Sequence, residues 1–295
     1  MTLVLVRRAF VACRSHACDM LQHRLMSAGP KLAPVAFTAL DGGGQLAKIT
    51  MNYPPANLFD SSSLQALGAA MDTVEATSDV RGLVLQSDVR GFFSAGFSLP
   101  ALYNVDCAGF ERLWVTGKHV FRRIYALPVP SIAAIDGHAL GLGCVMAMAC
   151  QRRFMVASER PPLIGLNEVA VGMPVPEWLA TRFRDLTSTR DAELILPRGS
   201  SLSPTQAHKI GLVDSLYVSR SEMDDAIHSD FNSCRVSARA QQETIRGLRR
   251  QFLDYFDTCF DQDTELFWQA ISSHETQTAI GNALAQLKAK SRKPN

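Results

Sequence analysis

A single carboxylate lies in a run that is otherwise uncharged and largely apolar. Glu168 follows Leu-Ile-Gly-Leu-Asn at 163–167 and precedes Val169. A carboxyl group among apolar side chains has a raised pKa, because burial disfavours the charged form. A pKa near neutrality lets one group both accept and donate a proton. Glu168 is therefore a candidate acid/base that could move a proton from one carbon to another. A lone glutamate is more often merely solvated, so the hypothesis requires partners.

Two stretches of small residues could supply those partners. The first, Phe-Ser-Ala-Gly-Phe-Ser-Leu at 93–99, would allow a ligand to approach the backbone closely. The second, Gly-Leu-Gly at 141–143, precedes an apolar helix, whose first N–H groups point outward and carry partial positive charge. One N–H from each stretch could hold negative charge developing on a carbonyl oxygen. Either stretch alone is typical of an ordinary turn, so the prediction is that they converge with Glu168.

Cofactor and metal motifs do not fit this pattern. The segment 137–145 fails the dinucleotide spacing, since Val145 and Met146 stand where the last glycine is needed, and it lacks the Gly-Lys-Ser/Thr of a phosphate loop. The seven cysteines show neither a CxxC pair nor metal-ligand spacing, which favours reduced, buried thiols. We therefore expect no metal site. His138 stands near the second loop, where a lone histidine is more typical of a structural role.

Alternating strands and helices would position these groups. Apolar runs predict strands at 46–51, 82–86, 128–135 and 153–157, and helical periodicity predicts helices at 61–77, 110–127 and 145–150. We expect 92–97 to be a loop and 137–144 a glycine-spaced turn. The alternation favours an α/β fold with largely buried strands.

The last third is predicted to be mainly helical. A helix opens at Pro204 and ends near Gly211, an extended piece covers 212–218, and helices follow from about 223 to 290. Phe252, Tyr255, Phe256, Cys259 and Phe260 recur at helical spacing, as do Leu266, Phe267 and Ile271. This stripe could pack on the lobe's own core or bury a subunit contact.

Composition places the chain among ordinary globular proteins. The 295 residues are 47% apolar and 20% charged, enough for one large domain. A net charge of +2 and the lack of a basic stripe interleaved with aromatic residues argue against a nucleic-acid partner. No apolar run approaches the ~20 residues of a membrane-spanning helix, so no membrane partner is expected.

The N-terminal residues differ in composition from the rest. Arg7, Arg8, Arg14 and Arg24 are accompanied by one acid, Asp19, and by interleaved apolar residues, which is typical of a mitochondrial transit peptide. The alternative is an N-terminal extension with no targeting role. We predict a leader at 1–33, a core at 34–222 and a C-terminal helical lobe at 223–295, with the mature protein in the mitochondrial matrix.

Several stretches resemble one family when they are taken together in this order. From about 44 to 218 the chain resembles the crotonase (enoyl-CoA hydratase/isomerase) superfamily, and it looks most like the mitochondrial Δ3,Δ2-enoyl-CoA isomerases of fatty-acid oxidation. The matching stretches are Pro-Pro-Ala-Asn at 54–57, Val-Arg-Gly-Leu-Val-Leu at 80–85, Phe-Ser-Ala-Gly at 93–96, Pro-Ser-Ile-Ala-Ala-Ile-Asp-Gly at 130–137, Gly-Cys at 143–144, Ile-Gly-Leu-Asn-Glu at 164–168, Leu-Ser-Pro at 202–204 and Gly-Leu-Val-Asp at 211–214. The resemblance implies an α/β fold, a crotonase-type spiral of ββα units with a C-terminal helical lobe, assembled as homotrimers or dimers of trimers.

The resemblance also implies a role for each site residue. The backbone N–H groups of Phe97 and Leu142 match the oxyanion hole, and Glu168 matches the catalytic acid/base. The residues that fall where the family contacts the acyl-CoA substrate are Ala95, Gly96, Phe97, Ser98, Leu99, Leu142 and Asn167. Catalysis would need no cofactor, because CoA is part of the substrate.

The implied reaction is isomerisation of 3-enoyl-CoA to trans-2-enoyl-CoA, with Glu168 carrying a proton from C2 to C4. Val145 stands where the hydratases carry a second glutamate, and a valine cannot activate water. Hydration or thioester hydrolysis on the same fold is one alternative, and a non-catalytic binding protein, for example for RNA, is another.

The chain departs from the family at two positions. Members often have glycine at position 142 and an acid at position 98, where this chain has Leu142 and Ser98. Leu142 can still donate its N–H, although its side chain narrows the space near the thioester. The segment 174–178, Pro-Val-Pro-Glu-Trp, could shape the acyl pocket or be only a rigid turn.

Overall fold

Parallel strands with apolar side chains on both faces form the larger sheet of the protein. The computed structural model describes residues 31–291, and its strand order in this sheet is β1-β2-β3-β5-β7-β9. Only β1 runs antiparallel to its neighbour. The bounds are β1 Val35–Ala39, β2 Gln45–Met51, β3 Val80–Ser87, β5 Ser131–Ile135, β7 Arg152–Val156 and β9 Ser215–Tyr217. The strands predicted from 46, 82, 128 and 153 are confirmed, with shifted ends.

A second, three-stranded parallel sheet was not predicted. Its order is β4-β6-β8, with bounds β4 Gly91–Ser94, β6 Gly137–Leu140 and β8 Ile164–Gly165. The prediction of a loop at 92–97 was therefore wrong at 92–94. The prediction of a turn at 137–144 was wrong except at Gly141, because 137–140 form β6 and the helix predicted from 145 already begins at Leu142. These strands are short and rich in glycine, and they gain their backbone hydrogen bonds only from distant partners.

Ten helices connect and cover the strands in the described part of the chain. Their bounds are α1 Ser61–Ala76, α2 Leu99–Leu102, α3 Cys107–Ala126, α4 Leu142–Ala149, α5 Glu177–Leu186, α6 Thr189–Ile195, α7 Pro204–Lys209, α8 Arg220–Ser233, α9 Ala238–Ser272 and α10 His274–Ser291. Short 3₁₀ helices cover Glu168–Val171 and Leu196–Arg198. A strand of the large sheet, a strand of the small sheet and helical structure thus follow one another three times, from β3, β5 and β7.

Local side chains explain where the first long helices begin. Asp60 caps α1 by accepting a hydrogen bond from the Ser63 backbone N–H at 3.0 Å, and the Ser63 hydroxyl accepts one from the Asp60 N–H at 2.8 Å. Asp60 is therefore the N-cap of this helix. Asp106 caps α3 in the same way through the Gly109 N–H at 2.7 Å. Each cap satisfies N–H groups that have no partner within the helix.

The alternation of side chains along the large sheet separates two apolar cores. Ala47 and Ile49 point into the main core, whereas Leu46 points to the opposite face. There it packs with α8 residues such as Met223 and Phe231. The two longest C-terminal helices instead contribute side chains to the main core; these include Phe252, Phe256, Phe267, Ile271 and Ile280. Most of the helical stripe predicted from 252 onward thus packs on the core of the sheets, whereas Leu266 is exposed.

The N-terminal leader prediction falls mostly on residues 1–30, which lie outside the described residues. At the start of the described part, Leu32 forms a β-bridge with Asn52. None of the helices between 31 and 291 is long and apolar enough to cross a membrane.

Strands β4 and β6 of the small sheet pair where glycine lets their backbones touch. Gly137 has φ +139°, and a β-carbon there would lie 2.3 Å from the carbonyl carbon of Gly91. We predict that Gly137→Ala lowers the free energy of unfolding by about 4 kcal/mol, since backbone strain and overlap with a fixed backbone add together. Denaturant unfolding monitored by circular dichroism measures the change.

Gly43→Ala provides the matched control for Gly137→Ala. Gly43 also has a positive φ, +87°, but a β-carbon there would have no neighbour within 4 Å. Its replacement should cost only the backbone strain, about 1 kcal/mol. Equal losses in the two variants would contradict the role given to the contact between β4 and β6.

Candidate active site

The loop after β4 is held by a buried asparagine. Asn57 is fully buried with φ +49°, and its side-chain amide donates to the Ser87 hydroxyl at 2.7 Å and the Phe93 carbonyl at 2.9 Å. Its side-chain carbonyl accepts from the Tyr53 N–H at 2.7 Å, and the Ser94 hydroxyl donates to its backbone carbonyl at 2.7 Å. All these groups are satisfied without water, so the segment around Asn57 forms a rigid support.

That support fixes the backbone of 95–98 but leaves one N–H group free. The Ala95 N–H donates to the Ala56 carbonyl at 3.0 Å, the Phe59 N–H donates to the Gly96 carbonyl at 2.8 Å, and the Ser98 N–H donates to the Phe59 carbonyl at 2.8 Å. In this parallel bridge between Phe59 and Phe97, the Phe97 N–H has no acceptor among residues 31–291. It is available to a ligand.

The second donor lies at the start of α4. Gly141 precedes the helix with φ +51°, and its N–H donates to the Gly165 carbonyl at 3.0 Å. The Leu142 N–H is the first of the helix and has no acceptor in the described part of the chain. Such an N–H carries partial positive charge and points away from the helix.

The two donors lie close together. A β-carbon at Gly96 would lie 3.3 Å from the Leu142 nitrogen and 2.8 Å from the Leu140 carbonyl oxygen. The backbone just before Phe97 therefore lies against the backbone of Leu142, as the sequence predicted. Two such N–H groups can hold an oxyanion, and loss of one donor of this kind costs ~2.7–4 kcal/mol of transition-state stabilisation.

The small sheet positions Glu168 next to Gly141, just before the Leu142 N–H. β6 pairs with β8, which sets Gly165 beside Leu140 and Gly141. Three residues later Glu168 begins a 3₁₀ helix, and its Oε1 lies 3.6 Å from the position of a β-carbon on Gly141. Asn167 Oδ1 lies 3.4 Å from the same position. Both residues predicted from the run 163–168 thus face Gly141, just before α4.

The environment of the Glu168 carboxyl is apolar. Oε2 is inaccessible to solvent and has no protein hydrogen-bond partner in the described residues. Burial raises the pKa of Glu168 from the ordinary value of 4.5 to about 7, and a hydrogen bond from its own backbone N–H opposes this rise to a smaller extent. A carboxyl with this pKa exchanges a proton readily at neutral pH.

A narrow pocket connects these groups to three helices. Its cavity measures about 20 Å³, about enough for one water molecule. Mostly apolar side chains line it, together with one carboxylate: Phe97, Trp114, Gly117, Lys118, Leu142, Val145, Glu168, Met173, Pro176, Trp178, Leu179 and Phe267. Val145 lies in the wall, so the position where a second carboxylate was considered contributes only a buried aliphatic side chain.

The remaining predicted residues have more peripheral positions. Ser98 begins α2 without capping it through its hydroxyl, and Leu99 packs against the main core. His138 accepts a hydrogen bond from the Leu163 N–H at 3.0 Å through Nδ1 and lies beside the Phe92 ring, which supports the structural role expected for it. Within 31–291 there is no cluster of side chains suited to a metal ion.

Sequence reasoning missed most of the pocket wall. Trp114, Met173 and Leu179 were not singled out, and Phe267 was noted only as part of a helical stripe. Pro176 and Trp178 belong to the segment for which an acyl pocket or a rigid turn was expected. Both residues line the pocket, and the segment leads into α5 at Glu177 rather than forming a turn. Helical spacing marks such residues as buried but does not show which cavity they face.

Comparisons with known proteins agree with this geometry. The sequence model of the enoyl-CoA hydratase/isomerase family matches residues 41–290. The chain belongs to this family. It is 27% identical over 255 residues to the mouse protein "Enoyl-CoA delta isomerase 1, mitochondrial", a match that covers 85% of this chain and 86% of the relative.

Other members of the family show both similarity and diversity. The crystal structure of human mitochondrial delta3-delta2-enoyl-CoA isomerase superposes with a TM-score of 0.80 at 26% identity, covering 87% of this chain and 98% of that one. The short-chain-enoyl-CoA hydratase of Clostridium acetobutylicum is 25% identical, with 82% of this chain and 92% of the relative covered. The predicted fold and family are confirmed, and the choice between isomerase and hydratase rests on the site.

The raised pKa of Glu168 predicts a pH-dependent stability. The folded protein holds this proton up to about pH 7, whereas an ordinary carboxyl releases it near 4.5. Unfolding between these values releases a proton, so stability falls as pH rises through this window and is level above it. At about 1.4 kcal/mol per pKa unit, the full loss is about 3 kcal/mol.

The variant Glu168→Gln removes this dependence. The free energy of unfolding of Glu168→Gln minus that of the wild type should therefore increase by about 3 kcal/mol between about pH 4.5 and pH 8. Denaturant titrations across this pH range measure the difference. Glu111→Gln, on the exposed side of α3, controls for removal of a surface carboxylate. A constant difference between Glu168→Gln and wild type across this range would show that the carboxyl is not desolvated.

Proposed function

We propose that the protein is a Δ3,Δ2-enoyl-CoA isomerase that converts 3-enoyl-CoA to trans-2-enoyl-CoA in the β-oxidation of unsaturated fatty acids. The observation that supports this most strongly is that Glu168 is the one carboxylate among the described residues that line the pocket, while Val145 occupies its wall. A single carboxyl can take a proton from one carbon and return it to another. Activation of water calls for a second carboxylate. The other charged side chain in the described wall, Lys118, already donates to Asp263 Oδ2 and Thr264 Oγ1.

The chemistry follows from the positions of the groups. The thioester oxygen of the substrate would accept hydrogen bonds from the N–H groups of Phe97 and Leu142. These donors stabilise the enolate that forms when Glu168 removes a proton from C2. Because the C2–H bond is allylic in a 3-enoyl thioester, the charge spreads to C4. Protonation of C4 by the same carboxyl moves the double bond and regenerates the carboxylate.

The reaction requires no additional cofactor in this scheme. CoA remains attached to the acyl group throughout, and Ala95, Gly96, Ser98, Leu99 and Asn167 are proposed to contact the thioester region beside Phe97 and Leu142. The apolar wall formed by α3, α5 and α9 would receive the acyl chain.

We place the protein in the mitochondrial matrix and in trimers or dimers of trimers. Support for the location comes from the mitochondrial names of its relatives and from the arginine-rich N-terminus.

Replacement of the proposed base gives the most direct test. Glu168→Gln should lower kcat for 3-hexenoyl-CoA by about a thousandfold or more, because the amide retains the shape of the side chain but cannot accept the proton. The product 2-enoyl-CoA is quantified by chromatography. Glu177→Gln, at the start of α5 and exposed, should leave kcat unchanged. Full activity of Glu168→Gln would show that another group is the base.

Val145 provides a test against hydration. Wild-type protein should add water to 2-enoyl-CoA at less than about one hundredth of its isomerisation rate, because one carboxyl cannot efficiently serve both C2 and a water. Val145→Glu should increase water addition at least tenfold, whereas Val145→Gln, similar in size but without a carboxyl, should not. Comparable hydration and isomerisation by the wild type would favour the hydratase alternative.

A further inference from the structure

Two stacked aromatic rings line the same pocket as Glu168. Trp114 on α3 and Phe267 on α9 have ring centroids 4.2 Å apart and planes inclined by 10°. Both side chains line the pocket, and each is about 95% or more buried. The Phe97 ring lies 6.0 Å from that of Trp114, so the stack begins beside one of the proposed oxyanion donors.

A buried polar network holds the tryptophan in this position. Trp114 Nε1 donates to Asp263 Oδ2 at 3.1 Å, and Lys118 Nζ lies 3.3 Å from the same oxygen. Trp114 and Lys118 are one turn apart on α3, while Asp263 and Phe267 are one turn apart on α9. Rotation of the indole would remove a hydrogen bond from a buried carboxylate, which is costly. The stack is therefore anchored from both helices.

The space in front of the stack is small. The enclosed space of about 20 Å³ has room for about one water molecule. Gly117 also faces this space, and a β-carbon there would lie 3.9 Å from Leu142 Cδ2 and 4.0 Å from Phe97 Cζ. Glycine inside a helix costs ~1 kcal/mol relative to alanine. Its presence preserves part of the limited space beside the two donors.

From this geometry we infer that the Trp114–Phe267 stack sets the acyl-chain length, so that the enzyme acts on short 3-enoyl-CoA substrates of about six carbons and excludes those of about twelve. This inference rests on the proposed function, since it assumes that the thioester binds at Phe97 and Leu142. An acyl chain that passes Glu168 then runs directly against the two rings.

The test removes one ring without disturbing the polar anchor. Phe267→Ala opens the end of the pocket and leaves the bond between Trp114 and Asp263 in place. The specificity constant kcat/KM is measured with 3-hexenoyl-, 3-octenoyl-, 3-decenoyl- and 3-dodecenoyl-CoA. Wild type should lose at least about tenfold from the shortest to the longest, and Phe267→Ala should raise the twelve-carbon to six-carbon ratio at least tenfold. Each newly buried methylene contributes about fourfold, or ~0.8 kcal/mol.

A matched variant separates pocket opening from general destabilisation. Phe252→Ala lies on the same helix, removes a similarly buried phenylalanine ring and does not line the pocket. It should lower thermal stability as Phe267→Ala does, but leave the ratio between chain lengths unchanged. If Phe267→Ala does not fold, Phe267→Leu, which removes only part of the ring, should shift the ratio in the same direction.

Binding measurements keep this inference separate from the proposed reaction. Calorimetric titration of wild type and Phe267→Ala with hexanoyl-CoA and dodecanoyl-CoA measures the affinity for each chain length, because these saturated thioesters do not react. Wild type should bind hexanoyl-CoA at least tenfold more tightly, and Phe267→Ala should remove that preference. Absence of turnover with normal, length-dependent binding would overturn the isomerase proposal alone. Equal affinity of wild type for both thioesters, no binding of either, or an unchanged ratio in the variants would overturn the chain-length inference.

Discussion

The site depends on the direct contact of backbone with backbone between the loops that follow β4 and β6. A β-carbon at Gly143 would lie 2.5 Å from the Ser94 carbonyl oxygen, and one at Gly96 would lie 2.8 Å from that of Leu140. No side chain can be accommodated at either point. These close contacts allow two N–H groups, from segments about 45 residues apart, to donate hydrogen bonds to one oxygen atom.

Burial then gives the site its chemical character. The same packing that leaves Glu168 Oε2 without a protein partner raises the pKa of its carboxyl toward neutrality. The protein loses folding stability at neutral pH through this desolvation, and the carboxyl becomes suited to accept and donate one proton. The rigid support around Asn57 has the opposite character, because its buried polar groups are paired. The side-chain amide of Asn57 is thus fully paired, whereas Glu168 Oε2 has no partner among the described residues.

Local patterns predicted the elements that depend mainly on their own sequence. Continuous apolar runs identified β2, β3, β5 and β7, and helical periodicity identified α1 and α3, because each buries its side chains in a way that one segment can specify. The small sheet was not predicted, since β4, β6 and β8 have two to four residues each and obtain their order from pairing across the chain. The helix that follows Pro176 and carries Trp178 was missed, because the proline-rich segment before it indicated a turn.

The sequence by itself determined the α/β class, the family and the candidates Glu168, Phe97 and Leu142, because residue type and order are sufficient to recognise a run such as 163–168 or 93–97. The resemblance to the family also predicted that Val145 stands where a hydratase would carry a second carboxylate. The tertiary structure decided that the two N–H groups and the carboxyl converge, and that Trp114 and Phe267 meet behind them. Distances between residues so far apart in the chain follow from the packing of the sheets and of α3 against α9, which local sequence does not encode.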